Sequence, residues 1–129
     1  MQNVRIRLYK TNDSIMLFHL LSRHDDWREY TEAWTSYTRV LRCSKTLILF
    51  EKEMVIGFLR YKIDGAFGVY IFDLLVDKEY RGRGYGKALI AYLAKKYSSQ
   101  IIYVMSDADA YYENNGFEKV GSILQFKHK

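Results

Sequence analysis

The sequence contains no proline and one cysteine, Cys43, in 129 residues. A lone thiol cannot close an internal disulfide, which excludes a disulfide-stapled scaffold and points to a reducing, cytoplasmic setting. Long apolar runs are missing as well. Segments such as Ile15-Met16-Leu17-Phe18 and Leu47-Ile48-Leu49-Phe50 fall far short of the roughly 20 residues a membrane-spanning helix needs. No charged-then-apolar leader opens the chain, because Met1-Gln2-Asn3-Val4-Arg5 runs straight into an alternating segment. Repeats, linkers and low-complexity tracts are absent too. What is present is 49% apolar and 27% charged, the balance of a folded chain. That length supports one hydrophobic core, so a single domain over 1–129 is expected.

Charge narrows the partner. Twenty Lys and Arg against 15 Asp and Glu leave a net +5, which favours an anionic ligand or surface. The basic residues are scattered apart from the 78–87 loop and the Lys127-His128-Lys129 tail. Without a dense basic run, nucleic acid is the weaker expectation and a phosphate-bearing ligand the stronger one. No membrane partner and no metal are expected.

Hydrophobic periodicity orders the chain. Val4 to Tyr9 alternates as a half-exposed strand, and Thr11-Asn12-Asp13-Ser14 caps a short helix from Ile15 to Leu21. Asp26-Trp27-Arg28-Glu29 has capping-box spacing for a second helix reaching about Arg42. Trp27, Tyr30, Trp34, Tyr37 and Leu41 would share one face of it. Strands follow at Thr46–Glu51, Met54–Ile63 and Ala66–Val76, with Asp64-Gly65 as a hairpin turn. The third is apolar on both faces apart from Asp73, as in a central buried strand. A helix from Gly84 to Tyr97, a strand over Ile101–Met105, a small helix over Ala108–Asn114 and a last strand over Phe117–Lys127 complete the series. The predicted class is α/β (α+β), a mixed sheet flanked by helices in the order β-α-α-β-β-β-α-β-α-β.

The richest chemistry lies where the third of these central strands meets the long helix. Arg81-Gly82-Arg83-Gly84-Tyr85-Gly86-Lys87 alternates glycines with cations at a helix start. Glycine lets backbone approach a ligand, and the first N–H groups of a helix are free to bind an anion. The spacing excludes two common phosphate loops. G-x-x-x-x-G-K-[ST] fails because Ala88 follows Gly86-Lys87, and G-x-G-x-x-G fails because position 87 is lysine.

The pattern R-x-x-G-x-G, Arg81 through Gly86, resembles instead the acetyl-coenzyme A pyrophosphate loop of GNAT-family N-acetyltransferases. Ala108-Asp109-Ala110-Tyr111-Tyr112-Glu113-Asn114-Asn115-Gly116-Phe117 is similar to that family's A-x-x-[FL]-Y-x-x-x-G-F segment. The element order is that of the family too, so the resemblance covers essentially the whole chain.

The resemblance implies direct transfer of acetyl from acetyl-coenzyme A, a co-substrate, to the primary amine of a small molecule or protein. It implies a pantetheine arm held between strands that splay at a bulge. There the Leu74 N–H would polarise the thioester carbonyl, and Leu75 and Val76 would line and pair with the arm. Arg81, Gly82, Arg83, Gly84, Tyr85, Gly86 and Lys87 would hold the pyrophosphate, and Tyr112 would protonate the leaving thiolate. The family often has a Glu or His base at positions occupied here by Phe72 and Tyr70. Asp73 is the remaining carboxylate of the strand, with His19, His24, Asp25 and Glu29 as further candidates. Trp27, Tyr30 and Trp34 are candidates for the amine pocket, since cations bind aromatic faces. Met105 stands where many relatives carry asparagine. Each of these residues also has a structural alternative: core packing for Leu74–Val76 and the aromatic stripe, strand packing for Tyr112, solvated charge for Arg81 and Arg83. Two other function classes stay open, a non-catalytic acyl-coenzyme A sensor and a basic nucleic-acid-binding domain. Dimers are common in the resembled family, though nothing in this sequence marks one.

Overall fold

A computed structural model describes residues 3–128; Met1, Gln2 and Lys129, the last of the basic tail, lie outside it. Five strands form one sheet in chain order: β1 (Val4–Leu8), β2 (Lys45–Glu51), β3 (Met54–Ile63), β4 (Val69–Val76) and β5 (Ile102–Val104). The first four pair antiparallel, and β5 joins β4 in parallel. A parallel neighbour needs a crossover, and helix α4 (Tyr85–Lys96) supplies it. Two other helices match their apolar patterns, α1 (Ser14–Ser22) and α3 (Trp34–Arg42). Two shorter ones, α2 (Arg28–Glu32) and α5 (Asp109–Glu113), complete the set. Among the described residues no helix is long and apolar enough to cross a membrane.

The sheet is covered on both faces, so β2 to β4 read as nearly continuous apolar runs. One core places Leu47, Leu59, Val69 and Ile71 against Leu89 and Leu93 of α4. The other places Ile48, Phe58 and Leu75 against Leu17, Leu20 and Leu21 of α1 and Tyr37 and Leu41 of α3. Each such leucine, fully withdrawn from water, contributes about 1.5–3 kcal/mol. Two buried carboxylates tie the helical layer to the rest. Asp13 accepts from both ends of the Arg7 guanidinium at 2.8 and 2.9 Å, which holds its carboxyl below the usual range. Asp77 accepts from Arg23 at 2.6 Å and from the Glu79 N–H at 3.1 Å. Burial opposes its charge, but these donors still hold its pKa down.

Three expectations change. The helix expected from Asp26 to Arg42 is broken at Ala33 (φ −116°, ψ 43°), and Asp25–Trp27 form a separate short turn. The aromatic stripe survives the break because α2 and α3 pack on the same core. The Asp64-Gly65 turn is wider than a two-residue hairpin: Asp64 N–H donates to the Gly68 carbonyl and β4 begins at Val69. The last strand does not form, and residues 117–128 are irregular. Val120, Leu124 and Phe126 are 72%, 88% and 77% exposed. Their apolar pattern supplies strand propensity, but a strand also needs an edge and a face to pack on. The neighbouring β5 spans three residues only.

Candidate active site

Strand β4 positions the site by being paired along only half its length on the β5 side. Val69, Tyr70 and Ile71 pair with Ile102, Tyr103 and Val104, and Met105 N–H then donates to the Ile71 carbonyl at 3.1 Å. Beyond Ile71 the two chains part. Phe72, Leu74, Leu75 and Val76 on one side and Met105, Asp107 and Ala108 on the other line a cavity of about 1080 Å³. On the β3 side the register jumps from Arg60↔Asp73 to Tyr61↔Ile71, which makes Phe72 an extra, bulged residue. A bulge reverses the alternation that follows it. Ile71 and Leu74 therefore both face α4, while Asp73 and Leu75 face the α1–α3 side.

At one end of the cavity lies the glycine loop. Asp77 caps the turn Lys78–Tyr80 by accepting from the Glu79 N–H. Gly82 (φ +77°) and Gly84 (φ +82°) then take left-handed conformations that L side chains resist. Gly84 occupies the N-cap position of α4 with no side chain to satisfy the first-turn N–H groups, so these remain available to an anion. Arg81, Gly82, Gly84, Tyr85, Gly86 and Lys87 line the cavity. Arg83 does not; its guanidinium lies over the Tyr80 ring at 5.2 Å. Arg81 bends back so that Nε donates to the Val76 carbonyl at 3.0 Å, locking loop to strand.

Helix α5 presents Tyr112 to the cavity. Its ring is 8% exposed and packs edge-on against Tyr111 and Phe117. Burial, then the negative charges of Asp107, Tyr111 and Asp73, push its pKa up to about 12, so it is a protonated donor at neutral pH. Tyr111, expected to pack on a last strand, instead reaches across to α4. Its hydroxyl sits where a Cβ on Gly86 would go.

The cavity is also walled by Asp26, Trp27, Glu29, Tyr30, Arg60 and Asp73. Asp73 is 5% exposed and holds three donors. Tyr30 Oη donates to Oδ1 at 3.0 Å, and Tyr37 Oη and Arg60 Nε donate to Oδ2 at 2.7 and 2.6 Å. Burial and the Asp73 charge push Tyr30 up to about 12, and push Tyr37 higher still. Trp34 is outside this wall, packed on Phe18 and Tyr37. His24 is occupied at both ring nitrogens, Nδ1 by the Leu20 carbonyl (2.9 Å) and Nε2 by the Lys78 N–H (3.1 Å). It braces the loop.

Sequence reasoning missed Arg60 and the linkage of Tyr37 to Asp73. The available signal was a cation, Arg60, inside the apolar run of one strand and a lone carboxylate in the next, since buried charges must be paired.

Comparison with known proteins agrees with this geometry. Residues 9–117 match the acetyltransferase (GNAT) family model. The chain is 37% identical over 73 residues to the chloroplastic GCN5-related N-acetyltransferase 2 of Arabidopsis thaliana and to the histone acetyltransferase TAP1 of Glycine max. That stretch is 53% of this chain, and it spans only 28% and 32% of those relatives. Among solved structures, a transcriptional regulator from Bacillus halodurans superposes with a TM-score of 0.79 at 21% identity, over 97% of this chain and 99% of that one. A ribosomal-protein-alanine N-acetyltransferase from Brucella melitensis gives 0.76 at 18% identity over 97% and 99%. An aminoglycoside N-acetyltransferase in complex with CoA gives 0.76 at 14% identity over 98% and 95%. At those identities the superpositions establish the fold alone, while the family model spans most of the chain. The chain belongs to the GNAT family of acetyltransferases.

Proposed function

We propose that this chain transfers an acetyl group from acetyl-coenzyme A to a primary amine, of a small molecule or a protein, by direct attack. The observation that supports this most is the β4 edge Phe72–Val76, left uncovered by β5, which lines one cavity together with Tyr112 and the glycine loop. The loop amides between Gly82 and Lys87, with Arg81 and Lys87, hold the pyrophosphate. Leu75 and Val76 flank the pantetheine arm, whose amides pair with the free strand edge. Leu74 N–H donates to the thioester oxygen as it gains charge; a preorganised donor there contributes roughly 3 kcal/mol. The amine nitrogen bonds to the carbonyl carbon, the C–S bond breaks, and Tyr112 Oη gives its proton to the departing sulfur. The proton lost by nitrogen restores the phenol, so the products are an amide and coenzyme A.

The test is a thermal-shift titration with acetyl-coenzyme A, coenzyme A and ATP in parallel. At about 100 times its dissociation constant a ligand stabilises the fold by roughly 2.7 kcal/mol. A rise in Tm with both coenzymes and none with ATP is expected. No rise at millimolar coenzyme would sink the reading and return attention to nucleic acid, whose binding should collapse with added salt.

One observation favours a second reading, a coenzyme-binding module without turnover. Phe72 and Tyr70 stand where a base is common in the family, and both Asp73 oxygens are engaged. The two readings separate on thiol release in the presence of amines.

Gly86 offers a further check on the loop. Gly86→Ala should fold, because the obstructing atom is the tip of the 41% exposed Tyr111 side chain and can swing away. The displaced phenol and added methyl crowd the first turn of α4, so coenzyme A should bind several-fold more weakly. Affinity equal to the wild type would show that this turn does not contact the ligand.

A further inference from the structure

Strand β4 carries an unusual charge for a central strand, and the acetyltransferase steps above leave it unused. Asp73 sits on the bulged part of β4, with its side chain 3% exposed and ion-paired to Arg60, itself only 11% exposed. Three donors converge on the two carboxylate oxygens: Tyr30 on one, Tyr37 and Arg60 on the other. Three donors, one of them the Arg60 guanidinium, occupy both oxygens of Asp73. They make it a very good group to fix the direction of a hydrogen bond. A carboxylate bears no hydrogen, so the Tyr30 phenol must donate to it. The phenol ring is also held: it stacks on Tyr37 at 4.4 Å and leans on Trp27 at 5.5 Å.

Tyr30 and Asp73 line the same cavity as Leu74 and Tyr112. A phenol whose only proton is committed to Asp73 can meet any other ligand solely through its lone pairs, as an acceptor. The group in need of such an acceptor is an amine N–H. An amine that donates one N–H to Tyr30 has its remaining substituents and lone pair constrained about that bond. Attack on a carbonyl requires the lone pair to be aimed.

We propose that Tyr30 Oη is the acceptor-amine ligand of this site, receiving an N–H bond that aims the nitrogen lone pair at the thioester. Asp73 acts through Tyr30 as a positioning residue, anchored by Arg60 and Tyr37. No proton is transferred to Tyr30 or Asp73. The inference rests on the acetyltransferase reading and adds to it which group meets the nucleophile. It also fits a site with Phe72 and Tyr70 in place of a strand carboxylate: the amine enters already neutral, is oriented by Tyr30, and gives up its proton only after attack, to the Tyr112 phenolate.

The test is steady-state thiol release by the full chain with 1,4-diaminobutane, tyramine, kanamycin and N-acetyl-lysine methyl ester as acceptors, in the wild type and in Tyr30→Phe. The phenylalanine ring keeps the stacking on Tyr37, so the variant folds. With the best acceptor, kcat/KM for the amine should fall about tenfold, the usual scale of one hydrogen bond. The dissociation constant for coenzyme A should stay within about twofold. A merely structural Tyr30 would move both constants or neither, and amine kcat/KM within about twofold of the wild type overturns the inference. Wild-type turnover with none of the four amines, despite coenzyme binding, would instead overturn the acetyltransferase reading on which it stands.

Discussion

Tyr112→Phe should lower kcat by about 100-fold or more, the scale of a lost general acid, while the coenzyme A dissociation constant stays unchanged. The substitution removes one atom from a ring that packs edge-on against Tyr111 and Phe117, and phenylalanine keeps that packing. Stability should therefore barely move, and any loss of turnover can be assigned to the hydroxyl. The pH profile gives an independent check. Burial first, then neighbouring negative charge, holds the phenol pKa up at about 12, above the ~10 of a free tyrosine. The protonated form is the active one, so its contribution is complete at lower pH and is lost as pH rises through about 12. The wild-type rate should show no alkaline fall near pH 10 from this group. A fall centred there, or unchanged turnover in Tyr112→Phe, would remove Tyr112 from the chemistry.

Asp73→Ala should be the most destabilising single change in the cavity wall. It leaves the Arg60 guanidinium, 11% exposed, without its counter-charge and strips the buried Tyr37 hydroxyl of its acceptor. Breaking a buried pair by removing one partner costs about 3–5 kcal/mol. For a chain of this length that corresponds to a Tm lower by roughly 10–20 °C. Removing both charges should be milder than the single change, because no unpaired guanidinium then remains inside. Urea unfolding of Asp73→Ala, Arg60→Ala and the double variant measures this coupling. Additive losses would mean that the 2.6 Å contact contributes nothing beyond its separate ends. The size of the effect also explains why Asp73 is a poor probe of catalysis and Tyr30, whose ring packing survives truncation to phenylalanine, a better one.

Much of this architecture was legible in the sequence because it depends on short-range rules. Period-two and period-3.6 patterns located the five strands and the principal helices, and the alternating glycines marked the left-handed turns before α4. The two motifs supplied two parts of the cavity lining, the glycine loop and Tyr112. Boundaries shifted by a residue or a few, and the long second helix proved to be two, since nothing local distinguishes a kink at Ala33 from a continuous turn.

Tertiary structure decided the rest, for reasons of partnership. The Phe117–Lys127 segment has the composition of a strand but pairs with nothing among the described residues, and a strand is defined by its neighbour. The bulge at Phe72 cannot be read from β4 alone, because it exists only as a mismatch of register against β3. Yet that bulge determines which face receives Asp73, and so brings it to Arg60, Tyr30 and Tyr37. Tyr111 likewise reads as packing until α5 is set against Gly86. The sequence by itself determined most of the elements, the family, and the part of the cavity formed by the glycine loop and Tyr112, where glycines, helix start and motif tyrosine are each encoded locally. The Asp73 cluster was decided by the fold, since its residues come from α2, α3, β3 and β4, and only register and packing bring them within hydrogen-bond reach.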